Sequence, residues 1–143
     1  MIRVVIAVGT CLILIACLDS NVNGVIISET LLSNQSYSEN NRLKKIISQC
    51  LAQEPKAFQD LLNFNCGDGA GCYDLGYVLT QIIYQIGEDN YLKCISKLST
   101  EEQINLSSFI RVGLEYGDNN YDGKMDNLTI KSTFPKIAEF THQ

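Results

Sequence analysis

Cys66-Gly67-Asp68-Gly69-Ala70-Gly71-Cys72, running on through Tyr73-Asp74-Leu75-Gly76-Tyr77-Val78-Leu79-Thr80-Gln81-Ile82-Ile83-Tyr84-Gln85-Ile86, is the stretch that decides the fold. In its second part Leu75, Val78, Leu79, Ile82, Ile83 and Ile86 recur at steps of three and four, the period that gathers side chains on one helix face. Asp74 is of the type that caps a helix start, and Gly87 of the type that ends one. This is the most apolar segment with a helical period, so it is predicted to run through the centre. The first part reads as a glycine loop between two cysteines, with Asp68 and Tyr73 exposed at its tip.

Working outward, the same period appears on both sides. Leu43, Ile46, Ile47, Cys50 and Leu51 predict a helix from Asn41, with Arg42, Lys44 and Lys45 outside. Glu54-Pro55 ends it, and a proline at a first helical position starts another, with Phe58, Leu61 and Leu62 inward. Downstream, residues 88–98 bury Tyr91, Leu92, Ile95 and Leu98. Ser99 and Glu102 have the spacing of a capping box opening a helix with Leu106, Phe109, Ile110, Gly113 and Leu114 inward. A polar loop, 117–130, leads to a last short helix from about Pro135 that buries Ile137 and Phe140. No segment alternates with a period of two. The predicted fold is therefore all-α, a compact disulfide-bridged bundle of five or six antiparallel helices.

Residues 18–40 are rich in Asn and Ser and carry no sustained period, so they read as a tether, although Val25-Ile26-Ile27 and Leu31-Leu32 suit a short strand or helical turn lying on the domain. The implied organisation is a signal peptide over 1–16, a tether over 17–40 and a helical domain over 41–143.

Past the leader lie Cys50, Cys66, Cys72 and Cys94, an even number. In an oxidising compartment this favours two disulfides. Three connectivities are possible. Cys66 with Cys72 is favoured, because a glycine-rich six-residue step can bring the Cα atoms within the roughly 4.4–6.8 Å a disulfide needs. That leaves Cys50 with Cys94. No paired C-x-x-C spacing supports a zinc site or a redox motif.

Met1-Ile2-Arg3 followed by the uncharged run Val4 to Ala16 has the form of an export signal too short to span a bilayer. Its end, Leu14-Ile15-Ala16-Cys17, resembles the lipobox of bacterial lipoproteins. The resemblance covers residues 1–17 and implies cleavage after Ala16 and acylation of Cys17, which would place the chain on a lipid bilayer. Leu18, where many inner-membrane lipoproteins have Asp, implies the outer membrane in a host that has one. An ordinary secretory signal cut after Gly24 is the alternative. Both readings place the domain outside the cytoplasm.

The 143 residues suit one domain, and 45% apolar with 19% charged residues suits a folded one. A net charge of −5 argues against nucleic acid as partner and permits a basic protein partner. The single histidine, His142, stands beside the C-terminus, which leaves no basis for Ser-His-Asp or Cys-His catalysis. Gly67, Gly69 and Gly71 match neither common phosphate-binding spacing.

The richest site candidate is Asp118-Asn119-Asn120-Tyr121-Asp122-Gly123-Lys124-Met125-Asp126. It resembles the calcium loop of EF-hands and dockerins. The resemblance implies Asp118, Asn120 and Asp122 as first ligands, a carbonyl from Lys124, Gly123 at the sharp turn, and Asp126 acting through water. Thr129 stands where the closing carboxylate belongs, leaving that role to a residue such as Glu115. Calcium bound there would be weak and structural. The functional expectation is a non-enzymatic, lipid-anchored interaction module, of the kind an immunity or inhibitor protein represents, that binds another envelope protein. The alternative is a secreted carrier enclosing a hydrophobic small molecule, with Tyr77, Tyr84 and Tyr91 near the apolar helix.

Overall fold

The computed structural model describes residues 20–67 and 69–141. The expected leader with Cys17, together with Asp68 and His142, lies outside them. A hairpin of β1 (Asn21–Val22) and β2 (Val25–Ile26) comes first. Eight helices follow among the described residues: α1 (Glu29–Ser33), α2 (Tyr37–Leu51), α3 (Pro55–Leu62), α4 (Gly69–Ile86), α5 (Glu88–Ile95), α6 (Thr100–Tyr116), α7 (Ile130–Thr133) and α8 (Pro135–Thr141). The fold is all-α and disulfide-bridged. The count exceeds five or six because α1 and α7 are short helices whose sequences carry no full period. None of these helices is long and apolar enough to cross a membrane.

α4 is the axis, as its periodicity implies. Leu75, Val78, Leu79, Ile82 and Ile83 are fully buried, and each such side chain contributes roughly 1.5–3 kcal/mol relative to exposure. Gly87, with φ of +80°, closes the helix by donating to the Ile83 carbonyl at 2.8 Å. Its start differs from expectation. Gly69 to Cys72 form the first turn of α4 instead of a loop, and Asp74 is no cap, since it lies inside the helix and accepts from the Ser28 hydroxyl. Both glycines tolerate helical geometry once the neighbouring disulfide holds the chain.

From Ser20 onward the expected tether is folded structure. Val25, Ile27, Leu31 and Leu32 are buried in the common core. Gln81, a buried polar residue of α4, acts as a substitute backbone for β2: Ile26 N donates to its Oε1 at 2.8 Å and its Nε2 donates to Ile26 O at 2.9 Å. α2 begins at Tyr37, earlier than Asn41, because Ser36 caps it by accepting from Glu39 N and because Asn40 is buried, donating to Leu32 O at 2.9 Å.

α4 and α6 make the closest crossing. A Cβ on Gly76 would stand 2.5 Å from the Phe109 carbonyl oxygen, and one on Gly113 2.2 Å from that of Gly76. Only glycine at both positions lets the two backbones touch. Contacts then advance in the same sense along both segments, from Gly76 with Gly113 to Thr80 with Asn119, with α5 carrying the chain between the two helices.

The capping box at Ser99 and Glu102 forms as expected. Glu88 and Asp89 do more than start α5. Glu88 accepts from Ile137 N at 3.0 Å and Asp89 pairs with Lys136 at 2.6 Å, which seats α8. On α8 the inward residues are Ile137 and Ala138; Phe140, expected inside, is 39% exposed because the helix turns its other face to the core.

The cysteine pairs divide. Cys66 and Cys72 are bonded, with Cα atoms 4.9 Å apart. Cys50 and Cys94, expected as the second bond, are free and buried. The Cys94 thiol donates to the Gln53 carbonyl of the α2–α3 connection at 3.3 Å, and Cys50 lies near enough for the two thiols to act on one another. Burial raises both thiols above their ordinary value and keeps them neutral.

Candidate functional site

The residues around the disulfide build one face. Gly71 packs against the Cys66 carbonyl, where any Cβ would stand 2.1 Å from the oxygen, so the tight closure requires glycine. Asn65 Oδ1 accepts from Gly67 N at 3.1 Å, and Gln35 Nε2 donates to Asn65 O at 2.7 Å. This turn is held from within and from α2's approach. It sets the direction of the next residue, Tyr73, which points outward at 46% exposure.

Tyr73 stacks on Tyr116, the last residue of α6, with ring centroids 4.9 Å apart and planes 15° from parallel. Tyr116 is itself 43% exposed. A hydrogen bond with Glu115 raises its hydroxyl pKa. Beside the stack opens a groove of about 750 Å³ between the end of α3, the start of α4 and the outer face of α6. Leu62, Cys72, Phe109 and Val112 provide its apolar floor; Asn63, Ser99, Glu101, Glu102, Asn105 and Ser108 provide its polar wall.

The α6 contribution follows from helical spacing. Positions 101, 105, 108, 109 and 112 share the stripe adjoining the buried one of Leu106, Ile110 and Leu114. Phe109, expected in the core, is only partly buried and serves both stripes. Glu102 accepts from Ser99 N at 2.8 Å and from Gln59 Nε2, and these bonds hold its carboxyl below the usual carboxylate value. Its contribution to stability is therefore present above the unfolded value of 4.5 and lost as pH falls through the lowered folded value.

The candidate calcium loop, residues 118–129, contains the expected turn, with Gly123 at φ +83°. Asp118, Asn120 and Asp122 lie in that turn, and their oxygens accept from the loop's own amides. Asp118 accepts from Asp122 N and Gly123 N at 2.8 and 2.9 Å, Asn120 from Asp122 N at 2.9 Å, and Asp122 from Lys124 N at 2.9 Å. Asp126 accepts from Asn119 N at 2.6 Å. Thr129, at the closing position, caps α7 together with Ser132. Among the described residues no three His, Cys, Asp or Glu side chains gather as a metal site.

Asn119, which the sequence reading passed over, does the structural work here. Its amide donates to the Gly113 and Gly117 carbonyls at 3.2 and 3.1 Å, closing the end of α6. Tyr77 donates to Asp118 O at 2.7 Å; burial pushes its hydroxyl up to about 12. The three tyrosines considered for a carrier interior are employed separately. Tyr77 binds this loop, Tyr84 lies against Phe134 at the surface, and Tyr91 packs edge-on to Phe58 in the core.

What the sequence reading missed is the groove and Tyr116. The signal available was the second stripe on α6, ending in an aromatic residue. Compared with known family models, with curated proteins and with solved structures, the chain matches none.

Proposed function

We propose that this protein is an extracytoplasmic, non-enzymatic interaction module, anchored to a membrane by lipid on Cys17, that engages a protein of the cell envelope. The engaging face is the Cys66–Cys72 turn, the Tyr73–Tyr116 stack and the groove beside them. One observation carries the reading: an open groove of about 750 Å³ flanked by two stacked tyrosines that each remain nearly half exposed. Aromatic side chains held rigidly at the surface give large contact area at small entropic cost, the usual make-up of an interface centre. The disulfide supports an oxidising compartment, and the folded stretch from Ser20 leaves only a few residues between Cys17 and the domain.

The test uses a photoreactive phenylalanine analogue in place of Tyr73 in the native host. A discrete covalent adduct with one envelope protein is expected there and not at Gln85, at the far end of α4. No adduct at Tyr73 removes the module reading. The anchor is tested by Cys17→Ser, which should block processing and lipid labelling; unchanged processing would leave the secreted form.

A further inference from the structure

Resting on that reading, we infer that the groove receives a basic segment of the partner, with a lysine or arginine whose aliphatic stem lies on the apolar floor and whose charged end meets Glu101 and Glu102. The described residues lining the groove include these two carboxylates and no Lys, Arg or His. The capping bonds from Ser99 fix Glu102 in place, and Glu101 stands exposed in the same first turn.

Apart from Arg111, whose charge reaches Tyr116, and the N-terminus of α6, the remaining features agree in sign. The floor of Leu62, Phe109 and Val112 suits a long side chain that is apolar along its stem and charged only at its tip. At the other end the stacked tyrosines offer ring faces, to which cations are attracted, with Glu115 bonded to Tyr116. α3 ends at the groove, at Asn63, and so presents the negative end of its dipole. The opposing influence is the N-terminus of α6, which alone would favour an anion, but the capping box spends donors of that turn on the protein's own Ser99 and Glu102. A purely apolar ligand would cover the floor while drying two carboxylates without a counter-charge, which is costly. The net charge of −5 attracts a basic partner from a distance.

The experiment measures fluorescence anisotropy of a short labelled peptide alternating lysine and leucine on the full chain, with its glutamate and leucine twin as control. The lysine peptide is expected to bind and the twin not. Glu101→Lys is expected to weaken binding by about five- to tenfold, and raising salt to weaken it further, because exposed charges are involved. Glu29→Lys, on α1 and outside the groove's lining, is the charge-matched control and should leave affinity within about twofold. Equal binding of both peptides, or the same loss from Glu29→Lys as from Glu101→Lys, overturns the inference, as does an uncharged apolar probe that competes fully. The two levels separate cleanly: adducts at Tyr73 whose yield is undiminished by Glu101→Lys keep the interaction module and discard the basic occupant, whereas no adduct at all discards the module.

Discussion

Where α4 crosses α6, Gly76 and Gly113 lay backbone on backbone, whereas α2, α3 and α5 meet through Cys50, Phe58, Tyr91 and Cys94. At its narrowest point the first seam holds little side-chain volume; the second is filled by it. A seam of the first kind fails when anything is added, since the atoms opposite are mostly backbone and cannot change rotamer. The second kind fails when something is removed, since the surrounding helices collapse only partly into the gap.

The largest effect is expected at the filled seam. Phe58 is fully buried with its ring 5.4 Å from that of Tyr91, so Phe58→Ala should cost about 3–5 kcal/mol, read from the urea midpoint. Next comes the narrow seam, where Gly113→Ala should cost about 1–3 kcal/mol and Gly69→Ala, which meets nothing within 4 Å, should stay within about 0.5 kcal/mol. Equal losses at the two glycines would mean that backbone contact is not what α4 and α6 depend on.

A smaller change sharpens the contrast from the other side. The Tyr91 hydroxyl is buried and has no hydrogen-bond partner, so Tyr91→Phe should leave stability unchanged or raise it by up to about 1 kcal/mol. A clear loss would show the filled seam to be held by polarity as well as volume. The smallest effect concerns the 118–129 loop beside the narrow seam. With Thr129 capping α7 where a closing carboxylate belongs, and no three acidic side chains gathered at the loop among the described residues, millimolar calcium against chelator should move the melting temperature by less than about one degree. A shift of several degrees would show that the loop holds an ion and braces that crossing.

Much of the body was legible because burial imposes a period on helices. Most of the inward residues of α2, α3 and α4 follow from spacing, although Leu51, Leu62 and Ile86 are only partly buried, and the Ser99–Glu102 cap follows from one local pattern. Legibility stopped where structure depends on which faces meet. Gln81 sits among apolar residues, and nothing local says that its amide pairs with Ile26, 55 positions earlier. The α1 segment is too short for a period to declare itself. Gly69 and Gly71 suggested a loop because glycine usually interrupts helices, yet Gly71 is needed against the Cys66 carbonyl. Counting cysteines predicted two bonds, but parity says nothing of how two neighbouring thiols are turned, and Cys94 donates to Gln53 while both it and Cys50 stay free. The groove was hidden for the same reason: Tyr73 and Tyr116 are 43 positions apart, and only the crossing of α4 and α6 makes them neighbours.

The pairing of Gln81 with Ile26 also decides how the molecule would bear a mechanical load. A pull applied at Ser20 reaches β1 and β2 first and passes into the core through the buried Val25 and Ile27 and, at the centre of α4, through two bonds made by one side-chain amide. Gln81→Leu would preserve the apolar packing nearby while leaving both backbone groups of Ile26 without that anchorage. Force would then strip the hairpin away at a lower threshold, while the helices behind it stayed intact.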